Sequence, residues 1–260
     1  MGLFDFLSGG KGGSLKKTVE KANNKHSQSI DRFKALESLR DDGSEEALLG
    51  LLRRFSFVYD KTIEDEQEKQ WIHDTLVEIA TSRADGEQDG EARDRVLAAL
   101  QKNLVGAETI SLALRVLEHI ADADHAWPVL EKVIEANDNE YVRDPSRKIQ
   151  LVDFLGEFDD DRAAEALLQY LEDVDEGVRY HTIEALLHLK REEIAREALL
   201  TLLVKPEEES RRIKIRILDG LADLGWPVQG FRGTVEKLCE EIGRGHSVDG
   251  KGRIKKGAQR

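Results

Sequence analysis

Seven histidines, His26, His73, His119, His125, His181, His188 and His246, are the side chains best suited to ligate a metal or to carry a proton near neutrality. His181 and His188 are seven apart, so a helix would set both on one face, where two ligands could meet a third. Chance spacing on a solvated amphipathic helix is the simpler account, and no metal is expected. The segment DGEQDGEARDRV from Asp85 puts Asp85, Glu87, Asp89 and Gly90 at the first, third, fifth and sixth positions of a calcium loop. Its twelfth position, which needs a bidentate Glu, is Val96, and its ninth is Arg93, so a solvated inter-helix loop is expected. KGGSLKKT, from Lys11 to Thr18, lacks the glycine directly before its lysine and follows no strand, so it reads as a flexible linker and not a phosphate cradle. No GxSxG elbow, HExxH helix or Cys-His pairing activates a nucleophile, and no catalytic residue or cofactor is expected.

Composition narrows the class further. The single cysteine, Cys239, excludes a disulfide framework and a Cys-based zinc site. The opening MGLFDFLSGGKGG has too short an apolar run for a signal peptide, Phe6 replaces the Ser or Thr of a myristoylation pattern, and no stretch approaches the ~20 apolar residues of a spanning helix. A cytoplasmic location is therefore expected. The formal charge is -13 overall, yet residues 1–28 carry +3 and residues 244–260 carry +5, which leaves -21 on the body. A body that acidic repels phosphates, so DNA is not an expected partner.

Positioning elements come from an internal repeat. Six segments share two apolar residues three apart, a short polar turn and an amphipathic run rich in Ala or Leu. They begin at Leu36, Leu76, Leu117, Leu155, Leu186 and Leu221, with spacings of 40, 41, 38, 31 and 35 residues, the range of two-helix repeats. In the fifth, Ile183, Leu186 and Leu187 mark the first helix and Ala195, Leu199 and Leu203 the second. Ser44 and Asp161 are placed as helix caps. Period-two alternation is absent, except for a possible short hairpin in HSVDGKGRIKK. An all-α architecture of about six helix pairs follows. A flexible segment 1–26, a repeat body 27–243 and a basic glycine-rich tail 244–260 are the expected divisions.

DEGVRYHTIEALLHLKREEIAREALLTLL, from Asp175 to Leu203, resembles the HEAT and HEAT-like repeats, in particular bacterial proteins with repeats of the phycobilisome-lyase type. The resemblance spans about residues 28–243 and implies a right-handed α-solenoid. It also implies a ladder of Asp and basic residues between neighbouring repeats, with Asp65 and Lys69, Asp144 and Lys148, and Asp175 and Arg179 in one phase. The sixth repeat keeps Lys214 but has Ser210 in place of the Asp, and the first and third lack the pair, with Ser29 and Ile110 in its place. Two enzymatic relatives are disfavoured. No His-Glu dipeptide of the di-iron hydroxylases is present, and the acidic body, with Trp71, Trp127 and Trp226 read at helix starts or turns, is unlike a DNA glycosylase. Architecture alone does not assign activity.

Surface must then carry the function, and the expected reading is a non-enzymatic interaction scaffold. The outward stripe of the second helices comprises Glu46, Arg53, Asp94, Gln101, Lys132, Glu135, Glu165, Gln169, Glu172, Glu197 and Thr201, a polar, mostly acidic inner groove suited to a basic segment of a protein partner. Phe57 and Tyr59 in the link after the first repeat, and Leu3, Phe4, Phe6 and Leu7 at the N-terminus, are secondary candidates for docking on a partner or, weakly, on a membrane surface. A lyase-like modifying enzyme's subunit or chaperone is the alternative reading. Neither composition nor pattern fixes an oligomeric state.

Overall fold

The computed structural model describes residues 5–59, 61–82 and 90–257. Among them the backbone forms thirteen α-helices, two 3-10 turns and one two-stranded ribbon, so the fold is all-α and HEAT-like, with six helix pairs. Two units divide the chain, Met1–Ala136 and Asn137–Arg260.

The first unit holds α1 (Asp5–Ala22), α2 (Ser29–Asp42), α3 (Glu45–Leu52), a 3-10 turn (Arg53–Ser56), α4 (Thr62–Thr81), α5 (Glu91–Gly106), α6 (Ser111–Ile120) and α7 (Ala123–Glu135). Helices α2, α4 and α6 pack side by side as one layer, and α3, α5 and α7 form the other. Leucines spaced three and four apart explain the pairing. Leu36 and Leu39 of α2, Leu48, Leu51 and Leu52 of α3, and Val96, Leu100 and Leu104 of α5 are fully buried between the layers. Gly43, at φ 60°, closes α2 in the left-handed conformation, and Ser44 Oγ then accepts the Ala47 N–H at 3.3 Å to open α3. Helix α1 runs through the glycine-rich stretch that reads as a linker. Its Val19 and Ala22 are buried against α2 and α3, and this packing outweighs the poor helix propensity of the glycines. The approach is close, since a side-chain carbon on Gly50 of α3 would lie 2.8 Å from Val19 Cγ2.

The second unit holds α8 (Ser146–Glu157), α9 (Asp161–Leu167), a 3-10 turn (Leu168–Glu172), α10 (Glu176–Leu189), α11 (Glu192–Val204), α12 (Arg211–Leu224) and α13 (Arg232–Ile242), followed by β1 (Ser247–Val248) and β2 (Ile254–Lys255). One layer is α8, α10 and α12, and the other is α9 with its 3-10 turn, α11 and α13. Ile183, Leu186, Leu187, Ala195, Leu199 and Leu203 are all in the core, as the periodicity predicts. The cap of α9 is Asp160, one residue before the Asp161 expected from sequence, and its carboxylate accepts the Arg162 N–H at 2.8 Å. The tail forms the hairpin. Ser247 pairs with Lys255 and Val248 with Ile254, and the Val228 N–H donates to Gly252 O at 2.8 Å. Trp71 departs from expectation, since it lies in the middle of α4 with its ring 5.0 Å from that of Phe33.

Gly156 sets the spacing of α8 and α10, because a side-chain carbon there would lie 2.7 Å from Ala185 Cβ and 3.0 Å from its Cα. Gly156→Val should force these helices apart and destabilise the protein by about 1–3 kcal/mol, read as a lower midpoint of urea unfolding.

Candidate functional site

Each unit is organised by cations that tie one repeat to the next, buried at Arg32 and Lys148 and half-buried at Arg179. Arg32 on α2 donates to Ser27 O at 2.9 Å, in the loop before its own helix, and to both oxygens of Glu68 on α4, at 2.8 and 2.9 Å. Arg179 on α10 donates to Asp173 O at 2.8 Å, again in its own preceding loop, and to Glu208 Oε2 at 2.8 Å in the loop that leads to α12. Lys148 on α8 bonds Glu140 O in the same way and donates to Asp173 Oδ2 at 2.7 Å. The ladder implied by the family resemblance is present with different acids. Asp173 and Glu208 stand two residues before a helix cap and accept the N–H of Asp175 and Ser210, both at 2.9 Å. Asp175 instead caps α10, accepting the Val178 N–H at 3.1 Å, and Asp144 accepts the Ser146 N–H at 3.0 Å. Only Asp65 and Lys69 pair directly, at 2.7 Å within α4. The basic member of the first repeat is Arg32, three residues after the expected Ser29.

In the first unit this ladder widens into a network beneath the aromatic link. Arg54, fully buried after α3, donates to Glu68 Oε2 at 2.9 Å, to Asp65 Oδ1 at 2.6 Å and to Phe57 O at 3.0 Å. The Arg54 guanidinium lies 4.3 Å from the Phe57 ring centre, and that of Arg32 lies 4.1 Å from the Tyr59 ring centre. Both rings are half-buried and cover the charges. Burial alone would push the Asp65 carboxyl up, but hydrogen bonds from Lys69 and Arg54 outweigh it and hold the group below the usual carboxylate range.

Residues of the expected groove face solvent. Glu46 lies on α3, Arg53 on the turn after it, Asp94 and Gln101 on α5, and Lys132 and Glu135 on α7; all are exposed except the half-buried Gln101. This part of the stripe is mixed in charge, with Lys132 bonded to Glu135 at 2.9 Å. In the second unit Glu165 on α9, Gln169 and Glu172 on its 3-10 extension, and Glu197 and Thr201 on α11 are all exposed on adjacent elements. Glu172 pairs with Lys205, whereas Glu165 and Glu197 have no ion-pair partner among the described residues. The carboxylate-rich part of the stripe thus belongs to the second unit.

Leu3, Phe4, Asp85, Glu87 and Asp89 lie outside the described residues, and Phe6 and Leu7 fall on the first turn of α1. His181 and His188 on α10 each face a carboxylate of α8, Asp153 at 2.7 Å and Glu157 at 3.7 Å, a lateral pairing and not a shared centre. His73 and His119, which no short spacing connects, meet across α4 and α6 with nitrogens 3.3 Å apart. Among the described residues no group of three or more His, Cys, Asp or Glu could hold a metal ion, and no helix is long and apolar enough to cross a membrane.

Two layers of paired helices within each unit, cross-linked by inward-facing cations, are the architecture of an α-helical repeat protein. Residues 140–218 match the family model for HEAT repeats, which takes in α8 to α11 and the first half of α12. No curated protein matches the chain.

Two measurements test the network. Glu68→Gln leaves two buried guanidiniums sharing a neutral side chain, and should cost about 3–5 kcal/mol in chemical unfolding. Because the folded Asp65 titrates below its unfolded value of about 3.9, its contribution is present above that pH and is lost as pH falls through the folded value. Circular-dichroism melts between about pH 7 and pH 3 should show this acid-side loss in the native protein and a shallower one in Asp65→Asn.

Proposed function

We propose that the protein is a non-enzymatic scaffold that holds a basic segment of a protein partner on the second-helix face of the Asn137–Arg260 unit. HEAT repeats are modules of protein-protein interaction, and the match falls within this unit. The observation that carries the reading is the exposure of Glu165, Glu172 and Glu197 on adjacent elements, with two of the three free of ionic partners among the described residues. Exposed ion pairs contribute only about 0.2–1 kcal/mol each. Binding must therefore be a sum over several carboxylates, fast to form and sensitive to salt.

A labelled Lys/Arg-rich peptide, followed by fluorescence anisotropy, should bind at about 50 mM salt and release at about 500 mM, where the screening length falls to roughly 4 Å. Replacing Glu165, Glu172 and Glu197 by Lys should abolish binding without changing helix content. The same variant should lose the salt-sensitive partners that co-purify with the native protein. Equal binding by the variant, or salt-independent binding, would remove this face from consideration.

A further inference from the structure

The unit that carries the acidic second-helix face also contains a cleft of opposite sign. About 420 Å³ in volume, it lies between α10, α12 and the segment after α13, and four of its lining residues are arginines, Arg211, Arg212, Arg216 and Arg244, beside Tyr180 and a single carboxylate, Asp219. Two of these charges are already balanced. Arg216 Nη2 donates to Glu184 Oε2 at 2.9 Å, and Asp219 faces His246 Nε2 at 2.9 Å and Lys256 Nζ at 3.9 Å. Arg211, Arg212 and Arg244 are all exposed, and none has a carboxylate partner among the described residues.

Two of these guanidiniums are held in place by groups that leave their charge uncompensated. The Arg212 guanidinium lies 3.6 Å from the Tyr180 ring centre, and Arg211 Nη2 donates to Ile242 O at 2.6 Å. Stacking and a carbonyl bond fix orientation, so less side-chain freedom remains to be lost when a ligand arrives. Arg211 and Arg212 also occupy the first two positions of α12, whose first turn has no acidic residue, so the positive end of the helix adds to the same field. Arginine does not deprotonate in water, and relief must come from an anion.

We propose that this cleft binds a phosphate-type dianion, carried as a phosphate monoester. Three uncompensated guanidiniums match two negative charges and three acceptor oxygens better than the one charge and two oxygens of a carboxylate. The site is distinct from the acidic second-helix face, and its ligand is opposite in sign to the partner placed there.

Isothermal titration of the full chain at low ionic strength is the test. Inorganic phosphate is the probe, O-phosphoserine and AMP represent two sources of monoester, and acetate at matched ionic strength is the monoanion comparison. Saturable one-to-one binding of phosphate, at least tenfold tighter than acetate and weakened at least tenfold in the Arg212→Gln, Arg244→Gln double variant, is expected. Both residues are exposed, so the variant should keep native helix content, which far-ultraviolet circular dichroism checks. Tighter binding of O-phosphoserine than of AMP would assign the source to a phosphorylated side chain, and the reverse order to a nucleotide. Absence of saturable phosphate binding, acetate binding equal to it, or an unchanged affinity in the variant overturns the proposal.

Discussion

A cation that serves two repeats at once, buried at Arg32 and Lys148 and half-buried at Arg179, is the constraint on which the rest of this structure depends. Arg32, Lys148 and Arg179 each hold a carbonyl of the loop before their own helix and a carboxylate belonging to the next repeat. Dispersion between leucines tolerates sliding, whereas a charge removed from water tolerates almost no departure from its partners. The ladder therefore fixes the register in which leucine-lined helices stack. Its net worth in stability need not be large, since a matched apolar set could replace a buried ion pair at little cost, but loss of one member strands the other.

The fold was legible because its signals are local and repeated. Pairs of leucines, capping residues such as Ser44 and the recurrence every 31 to 41 residues led to six helix pairs, and the six leucines that open the repeat segments all fall in the second half of a first helix. Lys148, Arg179 and Lys69 were found by phase. Their acids were not, because Asp173 and Glu208 lie 25 and 29 residues away in loops and show no periodicity along the chain. Arg32 was missed because the phase of the leucines, seven residues after the basic position in every repeat, falls on Ser29 in the first, and the arginine stands about one helical turn further along. The glycine-rich start of α1 misled in the opposite way, as propensity argues for a linker and only the burial of Val19 and Ala22 argues for a helix.

Candidate surfaces were legible only in part. The stripe falls on exposed positions apart from the half-buried Gln101, but helical phase did not reveal that the first unit mixes Arg53 and Lys132 with its acids while the second concentrates them. The arginine cleft draws on α10, α12 and the residues after α13, so no contiguous motif announces it. Composition concealed it as well. A net charge of -13 directs attention to basic partners, although Arg211, Arg212 and Arg244 gather positive charge at one cleft.

Stacked repeats bury each inner face against a neighbour, and the last member of a series has none. Here the C-terminal ribbon occupies that position. It packs on α12 and α13, buries Ile254 and the edge of His246, and is held by Lys256 on Asp223 and by the Val228–Gly252 hydrogen bond. A basic ribbon on an acidic helix end covers part of the surface that another helix pair would need. A helix pair stacked on this edge, whatever its source, would first have to strip the ribbon from Asp223 and Val228.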